Sequence, residues 1–257
     1  MLRSTKVPAA AALLAAPAVL YLLAFFYAPL AYLAVYSGEK GLLAPYIEVL
    51  TRPHYHLIIL NSAAVAAATA LVVTLLALAP SYYIALEAGR RERIILLALF
   101  VSPFIVDVLL RTLSIKLVLS LAGIGPGWKA TFIGLVYENL PLGILFAFAG
   151  VSSVSRSLVE AARTLGAGRL QVYRSIVAPL ALPWLAAGFV VVFLVSFTDY
   201  VVPSLLGGTT GFTVGSLIYH LILSGDRWDL GGAVTLLVTL LSATAAYAVF
   251  RQAYRVL

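Results

Sequence analysis

Five ionisable side chains interrupt stretches of this sequence that are otherwise apolar: Asp107, Arg111 and Lys116 in one run, Glu138 in the next, and Asp199 at the end of a third. A charge near the centre of a bilayer costs about 2.5 to 3.5 kcal/mol on insertion scales, so each needs a partner, an aqueous cavity or a route to the interface. Asp107 and Arg111 are four apart, which places them on one helical face where they can pair and orient the helix among its neighbours. Lys116, about 22 residues from the inner end of its run, can snorkel to the outer interface. At about 1.5 Å per helical residue, Asp107 lies roughly 20 Å above the inner surface, with Glu138 in the outer third of its run and Asp199 near the outer end of its own. Three carboxylates gathered in the outer half, with Tyr137 and Tyr200 beside them, suit a cationic solute. Carboxylates offset its charge, and aromatic faces attract ammonium groups. Tyrosines at this depth also form the ordinary aromatic belt of a membrane protein.

Other chemistry finds little support. The chain has no cysteine, which excludes disulfides, thiolate metal sites and a thiol nucleophile. His54 and His56 are two apart and His220 is remote, with no third ligand at a recognisable metal-site spacing. Gly207, Gly208 and Gly211 surround Thr209 and Thr210, but no Lys-Ser/Thr follows to make a phosphate loop. The run from Gly123 to Gly127 is a helix-breaking turn, and no zincin pair, nucleophile elbow or dinucleotide fingerprint occurs. We therefore expect no catalytic set, no metal and no cofactor on this chain.

The elements that must hold these residues are membrane helices. Of 257 residues, 63% are hydrophobic and 11% charged, with mean hydropathy +1.05, far from the soluble norm of about half apolar and a quarter charged. Long apolar runs satisfy their backbone internally as helices, whereas barrel strands would alternate about every second residue. The fold expected is all-α, a single transmembrane domain over residues 1–257, with spans at Val7 to Tyr36, Leu57 to Leu86, Ile94 to Leu121, Thr131 to Val154, Ile176 to Val202 and Leu230 to Phe250. Bends are expected at Pro17, Pro29, Pro80, Pro103 and Pro141. The first span begins like a secretory signal, after Arg3 and Lys6, but its apolar run is about 30 residues against the 7 to 15 of a signal core, which favours a retained helix.

The net charge of +7 is topological, with no aromatic-interleaved patch to bind nucleic acid. Arg3, Lys6, Arg90, Arg91, Arg93, Arg156, Arg163, Arg169, Arg174, Arg251 and Arg255 fall on one side of the six spans, and Lys40, Arg52, Lys129 and Arg227 on the other. With the richer side inside, both termini are cytoplasmic.

Between the fourth and fifth spans, Ser157 to Pro183 begins too polar to span and too patterned to be a passive loop. It reads as two short helices. Leu158, Ala161, Ala162 and Leu165 share one face, Gly166 and Gly168 supply a stop and turn, and Leu170, Tyr173, Ile176 and Val177 form a second stripe. Ser157 and Glu160 have the spacing of a capping box. A small-residue helix held just below the bilayer is also a good knob for a partner to grip.

Glu160, Ala161 and Ala162, followed by Leu165, Gly166 and Ala167, then Ile176 and the Pro179/Pro183 pair, resemble the EAA motif of permease subunits in binding-protein-dependent ABC importers. The resemblance implies that residues 157–175 are a cytoplasmic coupling helix seated in a partner ATPase. It also implies that ATP and Mg are used by two such ATP-binding subunits, that a second permease completes the path, and that an extracytoplasmic binding protein delivers the solute at the cell's inner membrane. Asn61-Ser62, Pro103, Leu110-Arg111-Thr112, Gly134 to Pro141, Asp199 to Gly208, and Trp228 with Gly231-Gly232-Ala233 narrow the likeness toward spermidine/putrescine permeases, particularly the first of their two permease subunits. The first external loop is shorter than in that branch, and permeases for iron, phosphonate and thiamine share parts of these patterns. An ion-coupled secondary transporter would use the same carboxylates but should show an inverted repeat, which the sequence lacks.

Overall fold

A computed structural model of the chain describes residues 9–37 and 43–256. Arg3, Lys6 and Lys40 lie outside the described residues, as do the side chains of Arg251 and Arg255. All regular structure among the described residues is helical. We number the helices α1 (Leu14–Ser37), α2 (Ala44–Thr51), α3 (Pro53–Glu87), α4 (Arg90–Ile105), α5 (Val108–Leu121), α6 (Trp128–Ser152), α7 (Arg156–Thr164), α8 (Arg169–Thr198), α9 (Val201–Leu206), α10 (Val214–Tyr219) and α11 (Trp228–Val256). Five of these, α1, α3, α6, α8 and α11, are long and apolar enough to cross a bilayer.

The sixth crossing departs from expectation. The sequence reads as one continuous span from Ile94 to Leu121, but α4 and α5 meet at 98°. Pro103 cannot donate to the helical ladder, and the end of α4 tightens into a 3₁₀ turn over Ser102–Ile105. Val106 and Asp107 are extended, and the Asp107 carboxylate accepts the Leu109 N–H at 2.8 Å as the N-cap of α5. Elsewhere proline is absorbed more gently. Pro17, Pro80, Pro141 and Pro183 lie inside continuous helices. Wide π turns at Leu23–Tyr27 and Tyr173–Val177 sit where the rings of Pro29 and Pro179 would meet the carbonyls of Phe25 and Ser175.

The helices α3, α6 and α8 form the centre. On α3 a stripe of small residues, Ser62, Ala66, Thr69, Ala70, Val73 and Ala77, is buried, which lets neighbouring backbones approach closely. Gly143 of α6 faces Val73 so closely that a Cβ there would collide with it, and a Cβ on Gly188 of α8 would lie 2.7 Å from Phe146 Cβ. The α1 helix is peripheral, resting on α11 where Leu33 and Ser37 meet Gly232. Between α8 and α11 the chain folds back through α9 and α10, pinned by the Val214 N–H donating to Ser62 Oγ at 2.8 Å.

Candidate functional site

Two groups of residues stand out, one along the third and fourth crossings and one at the arginine-rich end of the bundle. In the first, Arg111 on α5 sends Nη2 to within 2.8 Å of Glu138 Oε2 on α6, with 9% and 5% of the two side chains exposed. The single Thr112 hydroxyl proton is shared between the Val108 carbonyl at 2.8 Å and Glu138 Oε1 at 3.3 Å. The Arg111 guanidinium lies 5.6 Å from the centroid of the Phe104 ring, and its Nε and Nη1 are buried without a hydrogen-bond partner. The expected Asp107–Arg111 pair is thus replaced by Arg111–Glu138. The reason is local: Asp107 stands outside the helix as its cap, so the i,i+4 geometry that assumed a continuous span does not apply.

Asp199 ends α8, and its carboxylate accepts the Val202 N–H at 3.1 Å, so it caps the start of α9. Asp107 and Asp199 both lie close enough to Glu138 to add to the negative field around it. Tyr200 stacks on Tyr219, with ring centroids 5.2 Å apart and planes at 12°, and both Tyr137 and Tyr200 remain exposed. Deeper in, Asn139 Nδ2 donates to Ser196 Oγ at 3.3 Å, joining α6 to α8.

The second group is a hairpin. The α7 helix ends at Thr164 with Leu165 as its C-cap, and at Gly166, which adopts φ +87, the chain reverses. Gly166 N–H donates to the Arg163 carbonyl and Ala167 N–H to the Ala162 carbonyl, the paired bonds of a Schellman stop. The second half is not a separate short helix: α8 begins at Arg169 and runs through the π turn into the fifth crossing. The capping box is also absent, because α7 starts one residue before Ser157, with Ser155 at the N-cap and its hydroxyl 2.6 Å from that of Ser157. Glu160 is free of that role and exposed.

The hairpin's orientation reverses the simplest amphipathic reading. Val159 and Val172 face the bundle and are buried, while Leu158, Ala161 and Leu165 point outward, Leu165 with 89% of its surface exposed. A cavity of about 290 Å³ opens between Ala162, Leu165, Gly166 and Ala167 on one arm and Gln171 and Ile176 on the other.

Sequence reasoning missed what holds this hairpin in place. Glu87, the last residue of α3, contacts Arg163 directly and approaches Arg169 at 3.8 Å. The final π turn of α3 presents the Ile84 and Ala85 carbonyls, which accept from Arg93 Nε (3.0 Å), Arg93 Nη2 (2.8 Å) and Arg156 Nη2 (3.3 Å). The available signal was Glu87 standing beside a run of arginines; spacing alone gave no way to assign it partners from another loop.

The chain was compared with known proteins. The model of the family described as the binding-protein-dependent transport system inner membrane component matches residues 90–256. The spermidine/putrescine transport system permease protein PotB of Haemophilus influenzae is 30% identical over 219 residues, 79% of this chain and 76% of that protein. The protein of the same name from Escherichia coli is 28% identical over 208 residues, 74% and 75% of the two chains. A bacterial alginate ABC transporter, crystallised in complex with an alginate pentasaccharide-bound periplasmic protein, contains a chain that superposes with a TM-score of 0.75 at 16% identity, covering 95% of this chain and 93% of that one. The multi-pass helical architecture and the hairpin between α6 and α8 sit on a chain that belongs to the family of inner membrane components of binding-protein-dependent transport systems.

Proposed function

We propose that this chain is one permease half of an ATP-driven importer for polyamines such as spermidine and putrescine. It works as one transmembrane domain over residues 1–257 with both termini in the cytoplasm. Two ATP-binding subunits, which hold ATP and Mg, dock on residues 157–175 through Glu160, Ala161, Ala162, Leu165, Gly166 and Ala167. A second, distinct permease completes the path, and an extracytoplasmic binding protein delivers the solute. The observation that carries this reading is the hairpin itself: an apolar row of Leu158, Ala161 and Leu165 turned away from the bundle on the arginine-rich end.

For the path we propose Asp107, Arg111, Tyr137, Glu138, Asp199 and Tyr200. Glu138 is engaged by Arg111, so Asp107 and Asp199 set the attraction for a cation, and Tyr137 and Tyr200 offer exposed ring faces to its ammonium groups. Coupling requires that the ATP-binding subunits grip the hairpin differently in two states, since equal contacts in both would shift nothing.

Purification of the tagged chain from its native membrane should bring down nucleotide-binding subunits and a second permease in fixed ratio. Reconstituted with its binding protein, the complex should take up radiolabelled spermidine or putrescine only with ATP. Asp107→Asn keeps an N-capping side chain but removes the charge, so uptake should fall with folding intact. Uptake of every cation unchanged in both Asp107→Asn and Glu138→Gln would end the path assignment. A lone chain that transports on an ion gradient would replace the importer with a secondary transporter.

A further inference from the structure

Glu87 ties together two parts of the chain that are far apart in sequence. It closes α3, the second crossing, and its two carboxylate oxygens face Arg163 and Arg169, one from each arm of the hairpin. Glu87 is the sheltered member, with 20% of its side chain exposed against 37% for Arg163 and 81% for Arg169. The Tyr82 hydroxyl accepts a second bond from Arg163 at 3.3 Å, and Tyr82 meets Tyr173 edge to face, centroids 5.7 Å apart. Tyr82 adjoins the π turn that ends α3, and Tyr173 begins the π turn near the start of α8. Beneath these polar contacts, Ala85 packs with Val159 and Val172 from the two arms. The Glu87 carboxylate, and after it the Tyr82 hydroxyl, raise the basicity of the Arg163 guanidinium further.

We infer that Glu87 is a positioning residue that clasps both arms of the hairpin to α3, so that the hairpin and the second crossing move as one body during coupling. The inference rests on the coupling role proposed above. The hairpin's Schellman turn is stiff within itself, but its only covalent continuation into the bundle is through α8 and the short link from α6. Without a link to α3, a push on Leu165 would reach α8 and, through Val159 packed with Val151, the end of α6, but not the second crossing. With Glu87 holding Arg163 and Arg169, and Arg156 on the Ala85 carbonyl, the same push also moves the helix that carries the central small-residue stripe.

The chain's lack of cysteine makes the test direct. Spin labels are placed at Leu76→Cys on α3 and Ser157→Cys in the first turn of α7, both exposed on this chain and outside the apolar row, in the complete complex with cysteine-free partner subunits in lipid nanodiscs. We expect one distance that is the same in the nucleotide-free and ATP-bound complexes. Glu87→Gln should make that distance change with ATP and lower ATP-driven spermidine or putrescine uptake on the order of tenfold, within the usual range of coupling effects. The exchange Glu87→Lys with Arg163→Glu should restore the fixed distance in large part, since Arg169 is 81% exposed and can turn to solvent. A Glu87→Gln distance that stays fixed, or a wild-type distance that shifts with ATP, overturns the clasp. Leu165→Asp separates the two readings. If ATP-binding subunits still copurify with it, the coupling role itself fails. If they are lost while Glu87→Gln keeps a fixed distance, only the clasp fails.

Discussion

Removing one member of the Arg111–Glu138 pair tests how the third and fourth crossings are held. Both side chains are more than nine-tenths buried, and Arg111 already has Nε and Nη1 without hydrogen-bond partners. Glu138→Ala would therefore leave a buried guanidinium with no counter-charge, a change that costs about 3 to 5 kcal/mol in protein interiors. Polar contacts within membranes average only about 0.6 kcal/mol and reach about 1.7, because the unfolded helices also find partners in the bilayer. Arg111 also keeps its place over Phe104. A loss of about 3 kcal/mol is the expected result, at the lower edge of the range for a buried pair and above that for a neutral hydrogen bond. Arg111→Met combined with Glu138→Leu removes both charges and both desolvation penalties, and should come within about 1 kcal/mol of the parent or exceed it. The assay is reversible unfolding of the purified chain in mixed micelles, followed by fluorescence of Trp128, Trp184 and Trp228, in a double-mutant cycle of Arg111→Met, Glu138→Leu and the two together. Additive losses, with the double variant as unstable as the two singles combined, would show that the residues do not interact and would refute the pairing.

Three further substitutions probe other parts of the fold. Gly143→Val places branched atoms against buried Val73 where even a Cβ collides, and should destabilise by about 1 to 3 kcal/mol in the same unfolding assay. Gly166→Val puts a β-branched residue at φ +87, where the left-handed conformation alone costs roughly 1 to 2 kcal/mol; we expect normal membrane insertion but loss of ATP-driven uptake, and normal uptake would count against the coupling assignment. Arg227→Ala breaks a partly exposed network with Glu48 and Asp229, and should change stability by no more than about 1 kcal/mol, with the difference vanishing at high salt.

What the sequence revealed depended on whether a property was carried by a run or by a pair. The long apolar runs placed α1, α3, α6, α8 and α11 within a few residues at most ends, because hydrocarbon forces every backbone group into an internal bond. The hairpin was legible for a similar reason: polar residues with a regular apolar row cannot span. Which way that row faced was not legible, since Leu158 and Val159 are both apolar and only packing sends Val159 inward. Pair assignments failed where an assumed helix was broken. One proline and one capping aspartate turned a straight span into two helices, and the partner of Arg111 moved from the same helix to the next. Glu87 was invisible as a tie because its partners lie more than seventy residues on and nothing in local spacing marks them.

The elbow between α4 and α5 carries a last consequence. Halfway along the third crossing, residues 102–107 leave the α-helical ladder, and Ile105 and Val106 are 86% and 46% exposed on this chain alone. Non-helical backbone is tolerated at membrane depth only where protein covers it or water fills a cavity beside it. A lipid-facing elbow would leave carbonyls without partners, so this side of the chain is expected to be covered by another protein surface or by water rather than by acyl chains. The absence of native cysteine allows Ile105→Cys to be introduced alone. In the assembled complex it should cross-link to the partner permease or react with a water-soluble maleimide. Protection from both, with quenching by lipid-borne nitroxides of a fluorophore at that position, would mean that the elbow lies in lipid and would refute this reading.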